Sequence, residues 1–252
     1  MLILLSNDDG YNANGLLAIR KYLSRYARVV TVAPDRDRSG ASHSLTVTRP
    51  LRLKKLAKDY YSIDGTPTDA VMIAISSLLK QKPDIVISGI NSGANMGEDV
   101  TYSGTVAAAM EGTLFGIPSI AVSLTGIGRM NHLEQKEYTK AARFTYKVIK
   151  QILKSDLPEG VLLNINVPMG AGVDIRKYAI THLGKRVYDD VITEKIDPRG
   201  QSYYWIAGTV RVTGKGPQTD FGAVERKYIS VTPLALDNTA TAYIDTLKDL
   251  KF

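Results

Sequence analysis

Two adjacent carboxylates, Asp8 and Asp9, follow an apolar run at residues 2–5 and precede Gly10. Such a run is typical of a strand buried inside a sheet, and ligands bind beyond the carboxyl ends of these strands in open α/β sheets. Neighbouring buried carboxylates repel each other and lose solvation, and a bound cation removes both penalties. The pair therefore predicts a site for a hard divalent ion, although a loop in which one aspartate caps the next helix remains an alternative.

A polar loop at residues 34–44 follows the second predicted strand. Loops of this composition, without an apolar anchor, often carry functional groups. Ser39 and Ser42 offer hydroxyl groups to a ligand, and His43 lies in the same loop. The alternative is a solvated loop in which its aspartates pair with its arginines.

Residues 88–97 follow a third buried strand and contain three glycines and two asparagines, Asn91 and Asn95. Glycines next to a buried strand allow a ligand to approach the backbone closely, and an asparagine oxygen is a suitable ligand for a hard metal ion. A plain turn rich in Asn and Gly is an equally good interpretation of this segment.

Ser103, Gly104 and Thr105 stand where a loop enters a predicted helix. The free N–H groups of a helix N-terminus bind anions, and the two hydroxyl groups add donors. We expect a side chain at Gly104 to hinder phosphate binding while leaving metal affinity unchanged. The alternative is that Ser103 or Thr105 only caps the helix. The segment lacks the lysine of a P-loop, so it is not an NTPase signature.

The elements that position these groups alternate between strand and helix as far as residue 125, which predicts a mainly parallel α/β sheet with helices on both faces. A long helix at 134–154 and a strand at 161–167 extend this core. The β-like segments near 176–182, 201–212 and 227–232 are separated by Gly and Pro, as in antiparallel hairpins, and a helix near 236–249 follows. We therefore expect a core at 1–170 and a β-rich appendage at 171–252.

The composition is that of an ordinary globular protein with a net charge of +7 and no cysteine. The absence of cysteine excludes disulfides, thiolate metal sites and a cysteine nucleophile. No segment is long and apolar enough for a signal peptide or a membrane span, so we expect a cytoplasmic protein without a membrane partner.

A stripe of lysines and arginines along the helix at 134–154 favours a solvated face over nucleic-acid binding. The three histidines, at 43, 132 and 182, form no metal-binding pair.

Taken together and in order, these motifs resemble those of the SurE family of stationary-phase survival phosphatases. They read NDDG at 7–10, SGAS at 39–42, DGTPTD at 64–69, SGINSGAN at 88–95, SGTVAA at 103–108 and YISVTPL at 228–234. The resemblance implies a Rossmann-like core and a metal-dependent 5′-nucleotidase that hydrolyses nucleoside monophosphates, with 3′-nucleotides and short polyphosphate as further substrates in some members. It also implies a C-terminal appendage exchanged between subunits in a homodimer or homotetramer.

The resemblance implies site residues as well. One divalent ion, Mg²⁺ or Mn²⁺ with Ca²⁺ as a substitute in crystals, would be held by Asp8, Asp9, Ser39 and Asn91. Substrate would be bound by Ser42, His43, Asn95, Ser103, Gly104 and Thr105. Asp8, Asp9 and Asn91 are the expected catalytic residues.

The reaction chemistry leaves two mechanisms open. Direct attack by a water activated at the metal is our first expectation, and covalent attack by Asp8 or Asp9 is the alternative. His43 is a candidate general acid; it and His182 stand where the family more often has Asn and Arg. The rival functional interpretation is a regulator that binds nucleotides or nucleic acid without turnover.

Overall fold

The structure, a computed structural model, describes residues 1–126, 135–155, 157–170, 172–189, 192–206, 209–212, 214 and 216–250. His132 and residue 134, where a helix was expected to begin, lie outside these ranges. Within the described ranges, no helix combines the length and the apolar character that crossing a membrane requires.

One large sheet of nine strands forms the centre of the described part of the chain. Its strands are β1 (Leu2–Ser6), β2 (Arg28–Pro34), β3 (Leu53–Ala57), β4 (Tyr60–Ile63), β5 (Ile85–Ser92), β6 (Ser119–Thr125), β7 (Val161–Pro168), β8 (Tyr178–Ile180) and β13 (Ile229–Ala235). Their spatial order is β3-β4-β2-β1-β5-β6-β7-β13-β8. The pairings β3–β4 and β7–β13 are antiparallel and the others are parallel, which confirms the predicted mainly parallel sheet.

Helices cover both faces of this sheet, as expected. The helices α1 (Asn14–Leu23) and α4 (Gln135–Ser155) lie on one face, and α2 (Pro67–Ile73) and α3 (Gly104–Leu114) lie on the other. The first face is packed by side chains such as Leu16, Ile19 and Phe144, and the second by small residues such as Ala70 and Ala108. Because both faces are covered, β1 and β5 begin with continuous apolar runs, at residues 2–5 and 85–87, which is why they could be recognised as buried strands.

The functional edge of the sheet follows from the strand order. The chain leaves β1 toward β2 on one side and returns to β5 on the other, so β1 and β5 flank a topological switch point. Ser6 of β1 is aligned with Ser88 of β5, which brings the loops after these two strands to the same edge. Ligands bind in the crevice at such a point in open α/β sheets.

The last third of the chain differs in part from the sequence prediction. The segments near 176–182 and 227–232, expected in antiparallel hairpins of the appendage, instead contribute β8 and β13 to the main sheet. The strand β13 lies between β7 and β8, antiparallel to β7 and parallel to β8. It enters the sheet because Ile229 and Val231 are buried against the α4 side of the core. The division into 1–170 and 171–252 stays a prediction; residue 171 lies outside the described ranges.

Two antiparallel pairs lie outside the main sheet. The strands β9 (Arg186–Asp189) and β12 (Thr209–Val212) pair with each other, and β10 (Ile192–Ile196) pairs with β11 (Ser202–Ile206). Two short helices, α5 (Asp220–Glu225) and α6 (Thr241–Lys248), complete the described chain. Residues 207 and 208, inside the expected β segment at 201–212, are not described.

Candidate active site

The predicted acid pair lies directly after β1, at the switch point of the sheet. Asn7 turns the chain by donating from Nδ2 to the carbonyl oxygen of Gly10, at 2.9 Å. Gly10 has a φ of +99°, a conformation that L side chains rarely adopt. This turn places Asp8 on the buried side and leaves Asp9 partly exposed.

Asp8 is 4% exposed and is held from the start of α3. The hydroxyl of Thr105 donates a hydrogen bond to Asp8 Oδ1. Burial raises the pKa of Asp8 above its ordinary value, and hydrogen bonds from Thr105 offset part of that rise. A carboxylate in this position gains from a cation that replaces the lost solvation.

Asp9 is held from the end of β5. The backbone N–H of Ser92 donates to Asp9 Oδ2 at 3.1 Å. Burial, together with the charge of Asp8, raises the pKa of Asp9 to about 7. Among the described residues, Asp9 Oδ1 has no hydrogen-bond donor, so this oxygen remains for a ligand.

Ser39 is brought to this edge by the loop after β2. The backbone N–H of Arg38 donates to the carbonyl oxygen of Asp8 at 2.8 Å, which ties the loop to the end of β1. The N–H and hydroxyl of Ser39 both donate to Asp37 Oδ1, at 2.8 and 2.6 Å. Asp37 also lies close enough to raise the pKa of both members of the acid pair. The alternative of a solvated loop with aspartate–arginine pairs is therefore only partly correct. Asp35 forms an ion pair with Arg38 at 3.5 Å, whereas Asp37 binds Ser39.

The loop after β5 contains both predicted asparagines, which have different surroundings. Asn91 is partly exposed beside Ser92, and its Nδ2 donates to the carbonyl oxygen of Gly93 at 2.9 Å. This bond leaves the Asn91 side-chain oxygen as the group available to a metal ion. Asn95 is buried, and its Nδ2 donates to Ser123 Oγ at 2.8 Å.

Two asparagines of β7 anchor Asn95 further. Asn164 and Asn166 donate from Nδ2 to the carbonyl oxygen of Asn95, at 2.8 and 2.9 Å, and Asn166 Oδ1 accepts from the Asn95 N–H at 3.0 Å. Asn95 thus fixes the loop to β6 and β7. Its expected contact with phosphate stays a prediction.

The three residues predicted to act at the start of α3, Ser103, Gly104 and Thr105, have different roles in the structure. Ser103 caps the helix by accepting from the N–H of Val106 at 3.0 Å, as the capping alternative anticipates. Thr105 donates to Asp8. A Cβ added at Gly104 would lie 2.8 Å from Asp8 Cβ and 3.1 Å from Asp8 Oδ2. A side chain at Gly104 would therefore press on a carboxylate of the site, so we expect it to lower metal affinity, whereas the sequence alone predicts no change.

Ser42 and His43 lie farther along the same edge. Ser42 donates from its hydroxyl to the carbonyl oxygen of Thr101 at 2.7 Å. His43 Nε2 lies 2.8 Å from Glu111 Oε2 of α3, and Glu111 is 3% exposed. His43, Ser103 and His182 line one cavity of about 620 Å³.

Several residues of the site were not identified from the sequence. They are Asp37, Ser92, Glu111, Ser123, Asn164 and Asn166. A usable signal existed for the two asparagines, which alternate with apolar residues inside the buried strand β7. No comparable signal existed for Glu111, because a single glutamate on a helix has the appearance of a solvated residue until the packing is known.

The donor set fits a hard divalent ion. Two carboxylates, the buried Asp8 and the partly exposed Asp9, supply negative charge, and the oxygens of Ser39 and Asn91 are neutral ligands of the type that Mg²⁺ and Ca²⁺ accept. The raised pKa of Asp9 shows that the carboxylate pair lacks a neutralising charge from the protein itself. Among the described residues, no group of three or more His, Cys, Asp and Glu side chains could hold a metal ion, so a site here depends on neutral oxygen ligands.

Comparison with known proteins decides the family. The family model described as survival protein SurE matches residues 3–190, more than half of the chain. This chain belongs to the SurE family.

Named SurE relatives match over nearly the full length. The 5′-nucleotidase SurE of Geotalea daltonii is 48% identical over 249 residues, which covers 98% of each chain. The 5′-nucleotidase SurE of Alkalilimnicola ehrlichii is 46% identical, covering 97% of this chain and 93% of the relative. The crystal structure of the SurE protein from Aquifex aeolicus is similar with a TM-score of 0.84 and 41% identity, covering 98% of both chains. The SurE fold extends over the core and over the segments after residue 170 alike.

Proposed function

We propose that this protein is a phosphomonoesterase that hydrolyses nucleoside 5′-monophosphates to nucleoside and phosphate. The observation that carries the proposal is the adjacent carboxylate pair Asp8–Asp9 at the switch point, in which Asp8 is buried and bonded to Thr105 at the start of α3. Full-length relatives at 46–48% identity that carry the name 5′-nucleotidase support the same reaction and substrate class.

The site requires a divalent ion, for which Mg²⁺ or Mn²⁺ is our choice. Asp8, Asp9, Ser39 and Asn91 are the residues that would hold it. When bound, it would supply positive charge opposite the phosphate oxygens and make a water molecule more acidic. With two charged and two neutral protein ligands, the site would not repel a phosphate dianion strongly.

The protein's own groups bind and orient the phosphate. In the first turn of α3, the backbone N–H of Thr105 donates to Asp8, and the helix N-terminus offers partial positive charge there. Because Gly104 has no side chain, the backbone there can approach the phosphate closely. Asn95 and Ser103 complete the proposed phosphate contacts. Contacts of this kind lower the barrier when they strengthen with the charge of the transition state.

We place the nucleoside in the cavity of about 620 Å³ that begins at Ser103. Its volume is within the range of small-molecule sites. His43 lines this cavity and is held by Glu111, which makes it a candidate for contact with the sugar or for protonation of the leaving oxygen. Ser42 fixes the His43 loop against Thr101.

We infer that water attacks phosphorus directly. Asp8 and Asp9 are each restrained by a hydrogen bond from another element, Asp8 from Thr105 and Asp9 from Ser92. Carboxylates held in this way suit metal binding better than nucleophilic attack. Acid quenching during turnover of radiolabelled nucleotide should yield no phosphorylated protein. A covalent phosphate on Asp8 or Asp9 would instead establish the covalent mechanism.

The deciding experiment is phosphate release from AMP and GMP with Mg²⁺ or Mn²⁺, with and without EDTA. Turnover that EDTA abolishes supports the proposal. Nucleotide binding without phosphate release under any metal would overturn it and favour a regulator that only binds nucleotides. The same panel, extended to 3′-nucleotides and short polyphosphate, defines the breadth of the substrate class.

We further propose that the protein works as a homo-oligomer. The hairpin β10–β11 exposes large apolar side chains, with Trp205 61% and Ile206 86% exposed. Exposed apolar groups gathered in one segment are typical of an interface. Exchange of this region between subunits is the arrangement that the family resemblance implies.

A further inference from the structure

A second surface of the molecule combines positive charge with aromatic rings. It lies on α1, α4 and the turn after α1, on the face of the sheet opposite α2 and α3. We call it the tyrosine–lysine surface and define it by Tyr22, Arg25, Tyr26, Arg143, Tyr146, Lys147 and Lys150. None of these residues belongs to the proposed active site.

The charge of this surface is almost purely positive. The helix α1 contains no Asp or Glu, and α4 contains only Glu137. Glu137 is 5% exposed and pairs with Lys140 at 2.8 Å. Asp174, in the loop after β7, forms an ion pair with Arg176 at 2.8 Å. Lys147 and Lys150 are exposed, and α1 and α4 carry no exposed carboxylate beside them.

Aromatic rings connect the two helices. The rings of Tyr26 and Tyr146 stack with centroids 4.2 Å apart and an interplanar angle of 17°. Tyr22 packs beside both, at 5.7 and 6.4 Å. Arg25 lies 4.2 Å from the centre of the Tyr22 ring, and Lys150 lies 5.1 Å from that of Tyr146. Tyr26 is 48% exposed, so the stack extends into solvent.

Two hollows flank this aromatic group. One, of about 330 Å³, runs between α1 and the start of α4, and the other, of about 480 Å³, lies over Tyr26, Tyr146 and Ile175. Tyr22 lines both hollows, and no acidic side chain lines either of them in the described part of the chain. The surface therefore offers planar rings and cations side by side, in recesses large enough for a planar group.

We propose that the tyrosine–lysine surface binds a single-stranded polynucleotide. Such a strand presents phosphates at regular intervals together with unpaired bases, and proteins bind it by combining a basic groove with aromatic stacking. An inorganic polyanion would use the lysines and leave the rings without a role, and a duplex hides its bases. The sequence interpretation of the α4 stripe as a solvated face omitted Tyr22 of α1 and Arg25 and Tyr26 of the following turn, which become neighbours of the stripe only in the fold.

Binding of a fluorescein-labelled 20-nucleotide single-stranded RNA, followed by anisotropy in EDTA at 50–200 mM salt, tests the proposal with the full chain. Tyr26→Leu should weaken binding at least fivefold, because stacking of one base on an aromatic ring contributes about 1–3 kcal/mol. The double variant Lys147→Ala/Lys150→Ala should reduce the slope of log K against log salt by about 1.4, at ~0.7 for each phosphate contact.

Matched controls change the same residue types elsewhere. Tyr243→Leu removes a tyrosine that is 53% exposed on α6, and Lys54→Ala/Lys55→Ala removes two exposed lysines of β3. Both controls should bind RNA as the unchanged protein does. All variants should keep their melting temperature and phosphatase activity, since none alters the proposed active site.

Three results would overturn the proposal. One is no RNA binding at 50 mM salt. A second is that Tyr26→Leu binds RNA as tightly as the unchanged protein, or that the controls lose as much affinity as the test variants. The third is that inorganic polyphosphate of equal charge, or vesicles of anionic lipid, displaces RNA as effectively as unlabelled RNA does, which would identify a general polyanion or membrane surface.

Discussion

Asp8 and Asp9 are adjacent in sequence but have different surroundings. Hydrogen bonds from Thr105 of α3 offset part of the rise that burial causes in the pKa of Asp8. Asp9 receives one backbone hydrogen bond, and burial together with the charge of Asp8 raises its pKa to about 7. In the absence of a cation, the ionised form of Asp9 is therefore unfavourable in the folded protein. A divalent ion would remove this penalty, which couples metal binding to stability.

Replacing Asp9 by Asn should abolish activity and leave the apo protein as stable as before, or more so. One metal ligand is lost, while repulsion with Asp8 disappears. We expect kcat/KM to fall at least about a hundredfold, and the melting temperature in EDTA to stay the same or rise. Asp245→Asn, exposed on α6, is the control and should change neither quantity. Full turnover by the Asp9 variant at ordinary metal concentration would end the metal-site proposal.

The raised pKa of Asp9 predicts how the stability of the metal-free protein depends on pH. The folded protein binds the proton of Asp9 more tightly than the unfolded chain does, because the pKa is 3.8 normally and about 7 in the fold. This contribution to stability is complete below pH ~4 and is lost as pH rises to ~7, by at most about 1.4 kcal/mol per pH unit. Urea unfolding in EDTA at several pH values measures it. Asp9→Asn should show the weaker decline; identical declines would contradict the assignment.

At the scale of single elements, α3 links the parts of the site. Its cap Ser103 begins the proposed nucleoside cavity, Thr105 in its first turn holds Asp8, and Glu111 two turns later holds His43. One rigid helix therefore sets the position of a carboxylate and an imidazole that come from two different loops. The helix α2 begins with a reciprocal capping box, in which the Thr66 side chain accepts from the Asp69 N–H and the Asp69 side chain accepts from the Thr66 N–H.

Gly104→Ala should impair metal binding as well as catalysis. The added Cβ would press on Asp8 at 2.8 Å, a contact that requires Asp8 to move. We expect kcat/KM to fall about tenfold or more, the loss of roughly one hydrogen bond to a charged group, and metal affinity measured by calorimetry to fall with it. Gly216→Ala, where the new methyl group meets only Thr219 at 3.7 Å, is the control. A normal metal affinity would show that Asp8 adapts without loss.

Asp220, the first residue of α5, joins three segments near the site. Its fully buried carboxylate accepts from the N–H groups of Gly97, Gly184 and Phe221, at 2.8, 2.9 and 2.8 Å. Asp220→Ala should lower the unfolding free energy by at least about 3 kcal/mol, since each bond to a charged group contributes ~1.5–3 kcal/mol. Urea unfolding measures the loss, and Asp237→Ala should cause almost none. A change below 1 kcal/mol, on the order of one ordinary hydrogen bond, would refute this account.

For the whole molecule, the proposed assembly predicts a mass above that of one chain. Light scattering at micromolar concentration should give a multiple of 27.5 kDa. The double variant Trp205→Ser/Ile206→Ser should shift the mass toward the monomer if β10–β11 forms the interface, whereas Tyr243→Ser on α6 should not. A monomer for the unchanged protein would contradict the proposal.

Local pattern was sufficient for the sheet class and for the strands β1, β2, β5, β6 and β7, but it missed β3 and β4 at the edge of the sheet. Apolar runs identify buried strands. In a parallel sheet the carboxyl ends of the strands lie at the same edge, so the polar residues that follow each run mark the edge where ligands bind. The place of β13 could not be obtained in this way. A short β segment has the same composition in a hairpin as in a sheet, and only its pairing with β7 and β8 distinguishes the two.

By itself, the sequence determined which groups follow the central strands, since backbone pattern and turn chemistry are local properties of the chain. The tertiary structure alone decided which of those groups meet. It joined Thr105 to Asp8, Glu111 to His43 and the tyrosines of α1 to the lysines of α4, and it directed Asn95 into the sheet. Contacts between residues tens of positions apart depend on how faces pack, and no local pattern contains that information.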